Sequence, residues 1–352
     1  MAKSRTIAKI DLRRMDEQLE RHLDRVFSNN NGCTEETNKL ELIMTKKQEW
    51  ELDPTKLKVN NIIAKGAYGS VYEGVYDGKQ VAVKIIDLSN EKRRDIVTKS
   101  FTQEVSIWYN LHHPNIAKLF GCSKTLPPVK PESTRWMKKW TRHPSLAKKT
   151  VLEYGIVVEY VPGGTLRSHL LKNHIKKLPL INVIQLALDV ARGLSYLHSK
   201  KIVHRDVKSS NLVVDKEGRV KIIDFGVSRI EASCPINMTA QTGTIGYMAP
   251  EVLIGLPYDH KCDVYSFGIC LWEIYCCSIP YIGQIPPHEI SPNVYRSRRP
   301  EIPNTCPSAV ANIMKQCWNE NPKKRPEMKE VVLMLEAIDT TQDAPKGCFC
   351  LI

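Results

Sequence analysis

No stretch of this chain reads as a membrane span. The longest apolar run, Phe267–Cys277, falls short of the ~20 residues a span needs and contains Glu273, so it reads as a buried core helix. No positive, apolar, small-residue leader opens the sequence. The eleven cysteines are odd in number and scattered. Free thiols in a reducing compartment are expected from that pattern, and with them a cytoplasmic protein. The Asn237-Met238-Thr239 sequon then carries no weight. Internal repeats are missing, as are zinc-ligand spacings and RNA-binding aromatic motifs, so no nucleic-acid partner is expected. Negative charge is in the minority: 38 Asp+Glu stand against 51 Lys+Arg, a net charge of +13. Such a balance favours anionic partners, nucleotide phosphates among them. With 352 residues, 42% of them hydrophobic, the chain can bury a sizeable core and is not a disordered polymer.

What is present is chemistry for phosphate. His204-Arg205-Asp206-Val207-Lys208-Ser209-Ser210-Asn211 puts a carboxylate, an ammonium group and an amide within six positions. Asp224-Phe225-Gly226 follows thirteen residues after Asn211. Together the two runs can orient a hydroxyl, steady a transferring phosphoryl group and hold a divalent cation. Upstream, Ala64-Lys65-Gly66-Ala67-Tyr68-Gly69-Ser70-Val71 lies between two expected strands, where a glycine-rich hairpin lets backbone N–H groups approach phosphate oxygens. Val81-Ala82-Val83-Lys84 puts an ammonium group on the third strand, fifteen residues after Gly69, where it can neutralise phosphates.

The coarse pattern divides the chain. Residues 1–50 are polar and charged, with an expected amphipathic helix over Ile10–Phe27. Strands are expected at Lys58–Ala64, Ser70–Val75, Gln80–Asp87, Asn115–Cys122 and Gly155–Tyr160, with one helix at Ile96–Leu111. Lys124–Lys149 reads as an exposed basic loop. After Pro162-Gly163-Gly164 the expected elements are helices: Leu166–Leu171, Leu180–Ser199, Val264–Cys277, Ser308–Cys317 and Met328–Ile338.

H-R-D-x-x-x-x-N followed by D-F-G is the catalytic-loop and metal-loop signature of protein kinases, and the chain resembles that family over about residues 57–338. The resemblance implies a bilobal α+β fold: a strand-rich N-lobe with one main helix over about 57–161, and a mostly helical C-lobe over about 162–338. Residues 339–352 are left as a tail with a cysteine-rich end. It also implies roles. Asp206 is the base or orienting carboxylate for the substrate hydroxyl, and Lys208 contacts the γ-phosphate. Asn211 and Asp224 hold Mg²⁺, with Mn²⁺ the other candidate. Lys84 meets the α- and β-phosphates and pairs with a helix carboxylate. Glu104 is the best candidate, ahead of Glu91 and Asp95, because Phe101, Val105 and Trp108 flank it. ATP is framed by Ala64, Gly66, Gly69, Val71, Ala82 and the hinge residues Val158, Glu159 and Val161, with adenine held through hinge backbone. Ala64 departs from the family's first glycine. That departure motivates the alternative of a pseudokinase or scaffold with weak nucleotide binding.

His204, like His112-His113-Pro114-Asn115, reads as structural. Glu251, in the Ala249-Pro250-Glu251 run, is expected to pair with Arg325, and Asp263 to anchor the catalytic loop. Lys208 and Gly243-Thr244 point to Ser/Thr protein substrates. Val207–Leu212, Gly243–Glu251 and Asp263–Gly268 resemble the plant Raf-like kinases, a branch classed with MAP kinase kinase kinases. Arg205 implies a phosphorylated activation-segment residue, added by an upstream kinase or by the chain itself. Ser228, Ser233, Thr239, Thr242 and Thr244 are the acceptors on offer, Thr244 the least suitable. In the tail, Phe349 stands where a prenylation box needs cysteine, and Ala2 excludes N-myristoylation. Cys348 and Cys350 could be acylated, giving peripheral contact with the plasma membrane.

Overall fold

The computed structural model describes residues 50–66, 69–87, 94–123, 126, 153–231, 243–283, 290, 294 and 297–340. The Ile10–Phe27 helix, nearly all of the Lys124–Lys149 loop, Ser233, Thr239, Thr242 and the tail cysteines lie outside the described residues.

Five antiparallel strands form the first lobe: β1 (Leu57–Gly66), β2 (Gly69–Tyr76), β3 (Lys79–Asp87), β4 (Leu119–Ser123) and β5 (Glu153–Glu159), in the order β1-β2-β3-β5-β4. Asp77 and Gly78 join β2 to β3 at φ +48° and +78°. Two consecutive positive φ values suit a two-residue hairpin turn, and Gly at the second is the usual solution. Side chains alternate across the sheet, so register assigns faces. Val81, Val83, Ile85 and Val157 are buried together on one face with Leu57 and Val59. The opposite face carries Val71, Ala82, Lys84, Ile156 and Val158, through the pairs Val71↔Lys84, Lys84↔Ile156 and Ala82↔Val158. Helix α1 (Arg94–Tyr109) packs near this face through Phe101 and Val105, which share a cluster with Ile86 and Ile156. Trp50 and Leu52 extend the edge of β4 through hydrogen bonds with Cys122, each 2.8 Å.

The strand expected over Asn115–Cys122 is half wrong. Only Leu119–Ser123 belongs to the sheet. Residues 115–117 pair instead with the second lobe: Ile222 N–H donates to Asn115 O at 2.9 Å and Ala117 N–H to Ile222 O at 3.0 Å. Asn115 Nδ2 also donates to Val220 O at 3.0 Å. The segment is extended, but its ladder partner lies over a hundred residues downstream.

In the second lobe, α2 (Leu166–Lys172) starts at the Thr165 cap and α3 (Leu180–Ser199) follows. Then come β6 (Ile202–Val203), β7 (Leu212–Val214), β8 (Val220–Ile222) and β9 (Arg229–Ile230), paired as β6–β9 and β7–β8. Helices α4 (Pro250–Leu253), α5 (Lys261–Cys276), α6 (Ser308–Cys317) and α7 (Met328–Glu336) complete it. Helix α5 is buried almost all round, as befits the centre of a helical core. Helix α3, not Phe267–Cys277, is the described helix long and apolar enough to cross a membrane. It is a core helix here: most of its apolar window is buried, and Asp189 within it accepts from Val220 N–H at 2.9 Å and pairs with Arg219.

Candidate active site

Lys84 stands on β3 with its ammonium group between two carboxylates. Nζ lies 2.8 Å from Glu104 Oε1 and 2.9 Å from Asp224 Oδ1. The β2–β3–β5 register aims it: Lys84 shares its face with Val71, Ala82 and Val158. Glu104 is buried, and α1 turns it toward the same point because Phe101, Val105 and Trp108 face the core. Burial opposes a charged Lys84, but Asp224 and Glu104 outweigh it and raise its pKa well above the ordinary range. Burial would also raise Asp224, yet Lys84, with Lys208 and His204 behind it, lowers that carboxyl to about 2. For Glu104 burial prevails and its pKa is raised.

Asp224 sits at φ +66°, between β8 and the turn at Phe225. Gly226 follows, and a Cβ there would come within 3.3 Å of both Asp224 Oδ1 and Glu104 Oε2, so the close approach suits a residue without a side chain. Phe225 is fully buried between Trp108 of α1, ring centroids 4.9 Å apart, and His204, 5.3 Å apart. Gln103 Nε2 adds a second tie from α1, donating to Ser228 O at 2.9 Å. Helix position and Asp224 position are thus coupled by packing.

The catalytic loop hangs from Asp263 of α5. Its carboxylate accepts from His204 N–H and Arg205 N–H, both at 2.8 Å, and meets His198 Nε2 at 3.1 Å. Arg205 sits at φ +70°, held there by this grip. His204 is fully buried, in keeping with a structural role. Asp206 is oriented from several sides. Lys208 Nζ donates to Oδ2 at 2.6 Å, Asn211 Nδ2 to the same oxygen at 2.8 Å, and Thr244 Oγ1 to Oδ1 at 2.7 Å. Lys208 Nζ also reaches Thr244 Oγ1 at 2.6 Å. Ile223 N–H donates to Asn211 O at 3.0 Å, so the β7–β8 hairpin brings Asn211 and Asp224 to one end.

The donor set fits a hard divalent cation. Asp224 engages Lys84 through Oδ1 and keeps 37% of its side chain exposed, while Asn211 engages Asp206 through its amide nitrogen. A carboxylate oxygen and an amide oxygen remain, and Mg²⁺ commonly completes such a partial set with substrate phosphates. Among the described residues no group of three or more His, Cys, Asp or Glu is placed to hold a metal.

At the hinge, Val158 packs against the main core, and Glu159 turns its carboxylate to Lys221 Nζ at 2.7 Å and Lys118 N–H at 3.1 Å. Glu159 can therefore meet adenine only through its backbone. Val161 is partly buried beside it. Ala64 is exposed opposite Val71, and Gly66 pairs with Gly69. The structure removes one acceptor from those on offer: Ser228 is fully buried and its hydroxyl donates to His204 O at 3.2 Å. Thr244 is engaged by Asp206 and Lys208.

Sequence reasoning missed Glu273 and His198 as parts of the site. Glu273 accepts from Ser209 Oγ at 2.6 Å and Tyr247 Oη at 2.7 Å, tying the catalytic loop to the segment before α4. An acid inside an otherwise apolar helix was the available signal. His198 carries no local motif.

A family model described as protein kinase domain matches residues 57–334. Serine/threonine/tyrosine-protein kinase HT1 of Arabidopsis thaliana is 37% identical over 295 residues, covering 83% of this chain and 69% of the relative. Serine/threonine-protein kinase STY46 of the same plant is 35% identical over 290 residues, covering 82% and 45%. The probable serine/threonine-protein kinase drkA of Dictyostelium discoideum is 37% identical over 294 residues, covering 83% and 41%. The chain thus spans less than half the length of the latter two.

Proposed function

We propose that this chain, which belongs to the protein kinase family, transfers the γ-phosphoryl group of ATP to serine and threonine hydroxyls of protein substrates. The observation that carries the proposal is the Lys84–Glu104–Asp224 triad, closed at 2.8 and 2.9 Å beside an oriented Asp206. An intact triad weighs against a pseudokinase.

The chemistry follows from positions. ATP lies against the face of Val71, Ala82 and Val158, its adenine read by hinge backbone from Glu159 to Val161. The Gly66–Gly69 hairpin covers the phosphates and Lys84 neutralises two of them. Asp224 and Asn211 would hold Mg²⁺, or Mn²⁺ in its place, and the cation would supply neutralisation of phosphate charge. Asp206 accepts a hydrogen bond from the substrate hydroxyl and orients it. Lys208, already within reach of Asp206, steadies the γ-phosphate. The Ser/Thr preference is supported by the resemblance of Lys208 and Gly243-Thr244 to that class and by the serine/threonine kinases among the relatives. Because the name of one relative includes tyrosine, phosphoamino-acid analysis is the decisive assay of class.

We assign the chain to the Raf-like branch, with a signalling role in the cytoplasm, activation by an upstream kinase or by itself, and partial residence at the plasma membrane. The catalytic-loop run Val207–Leu212 and the plant relatives support the branch. Asp206→Asn is the test of activity. Phosphoryl transfer should vanish while ATP binding and thermal stability stay near the parent's, since positioning carries most of this reaction. Undiminished autophosphorylation in that variant would remove Asp206 from the mechanism.

A further inference from the structure

We propose that His260 is a positioning residue for phosphoryl transfer: it fastens Glu231, at the root of the activation segment, to the helix that suspends the catalytic loop. The proposal rests on the kinase reading above. His260 stands immediately before α5. Its Nδ1 lies 2.6 Å from Glu231 Oε1, and its backbone N–H donates to the same oxygen at 3.1 Å. Its Nε2 lies 2.8 Å from Glu327 Oε2. Glu231 is itself fixed, its N–H donating to Lys201 O at 2.7 Å just beyond the β6–β9 pair. Glu327 caps α7 in a reciprocal box with Glu330. Beside the ring, at a centroid distance of 5.0 Å, is His198, which bonds Asp263. One imidazole thus joins the segment root, the start of α7 and the neighbourhood of the aspartate that grips His204 and Arg205.

Donor arithmetic sets its charge. A neutral imidazole offers one N–H and one lone pair, whereas both ring nitrogens here face carboxylate oxygens. Only the imidazolium satisfies both. The groups set against the ring are Glu231 just beyond β9, Glu327 at the start of α7 and His198 of α3, while Lys201, between α3 and β6, acts on Glu231, and Asp263 lies behind His198. Glu330 is turned to the Glu327 N–H at 2.7 Å, and Arg325 to Glu251. Lys261 is occupied, with Nζ 2.7 Å from Glu327 Oε1 and donating to Arg325 O at 2.7 Å. Burial disfavours the cation, but the hydrogen bonds and charges of Glu231 and Glu327 prevail and raise the His260 pKa above its usual value. Both carboxyls are lowered in return.

The sign follows. A group whose folded pKa is raised contributes fully below its unfolded pKa, and the contribution fades as pH rises through the folded value. When His260 loses its proton, one of the two carboxylates faces a lone pair and the link opens at that end. The fastening therefore weakens on the alkaline side of the ordinary histidine range.

The test uses the full chain with His260→Arg, His260→Gln and Glu231→Gln. Arginine keeps a permanent charge with several donors, while glutamine keeps neither the charge nor the second donor. kcat/KM for a serine peptide is followed from about pH 6 to about pH 9, the range that brackets a raised histidine. At the acid end His260→Gln should lose about tenfold, mostly in kcat, the size expected for one hydrogen bond to a charged group. That gap should close at the alkaline end as the wild type declines. His260→Arg should stay near wild type at the acid end and show no histidine-dependent decline. Glu231→Gln should reduce the step. Parallel profiles for wild type and His260→Arg, a His260→Gln equal to wild type throughout, or an unaltered step in Glu231→Gln would each overturn the proposal. Thermal unfolding over the same pH range gives a readout independent of turnover. The gap between wild type and His260→Gln should narrow as pH rises, and a constant gap overturns the fastening. Absent turnover in the wild type with a narrowing gap would instead fault the kinase reading alone.

Discussion

Lys84 satisfies two carboxylates with one ammonium group, and that makes it the residue whose loss should do most damage. Lys84→Met keeps the stem and removes the charge. Glu104, already raised by burial, should then take up a proton, and Asp224 should lose what holds its carboxyl near 2. We expect kcat to fall by about 10²–10³-fold, the loss typical of one preorganised electrostatic partner. Steady-state turnover on a serine peptide measures it, and a loss below tenfold would mean that Lys84 is not the phosphate-facing cation. Ala64→Gly should behave oppositely, leaving turnover intact and nucleotide affinity equal or modestly better, because Ala64 is exposed across from Val71 and blocks nothing described. A titration with ATP decides it. At this scale the sequence was informative where chemistry needs a particular atom. Apolar neighbours singled out Glu104 over Glu91 and Asp95, and in the structure Glu104 meets Lys84. His198 and His260 escaped notice because their partners, Asp263 and the Glu231–Glu327 pair, come from distant elements.

Between elements, the Glu251–Arg325 pair joins α4 to the start of α7. It is bidentate, Nη1 to Oε1 at 2.6 Å and Nη2 to Oε2 at 2.9 Å, and both side chains are buried. Breaking one side strands a buried charge. Arg325→Leu should therefore cost about 3–5 kcal/mol, read as a lower urea midpoint. Adding Glu251→Leu should recover only part of the loss. Arg325 also donates to the carbonyls of Asn319, Lys261 and Glu320, and those bonds are not restored in the double variant. Full recovery would show that the pair alone mattered. Element boundaries were legible where period and burial agree, as in Leu180–Ser199 and Ser308–Cys317, each bounded in the structure as the periodicity predicts. They were not legible at Asn115–Ala117. An extended segment looks the same in sequence whether it pairs with β5 or with β8, and only the closing of the two lobes decides which ladder it joins.

Over the whole molecule, the excess of positive charge and the apolar cysteine-containing end bear on where the protein works. If Cys348 and Cys350 carry acyl chains, part of the protein should sediment with membranes. One acyl chain anchors marginally, so two chains, or one chain with basic surface, are needed for stable attachment. The two contributions separate by salt. Charge attraction to anionic lipid is screened within about 10 Å at 0.1 M ionic strength and less still above that, whereas burial of an acyl chain is not weakened. Cys348→Ser with Cys350→Ser should therefore abolish the salt-resistant fraction, and any attraction left at low salt should vanish at high salt. High salt on the wild type should release only the fraction held by a single chain and charge. Catalysis should be unaffected in either case, since among the described residues the contacts that fix Lys84, Asp206 and Asp224 come from β3, α5 and α1. A wholly soluble wild type whose cysteines resist hydroxylamine-dependent labelling would leave the tail without a membrane role. Any attraction of the +13 chain to anionic surfaces would then be purely electrostatic and fully reversible by salt.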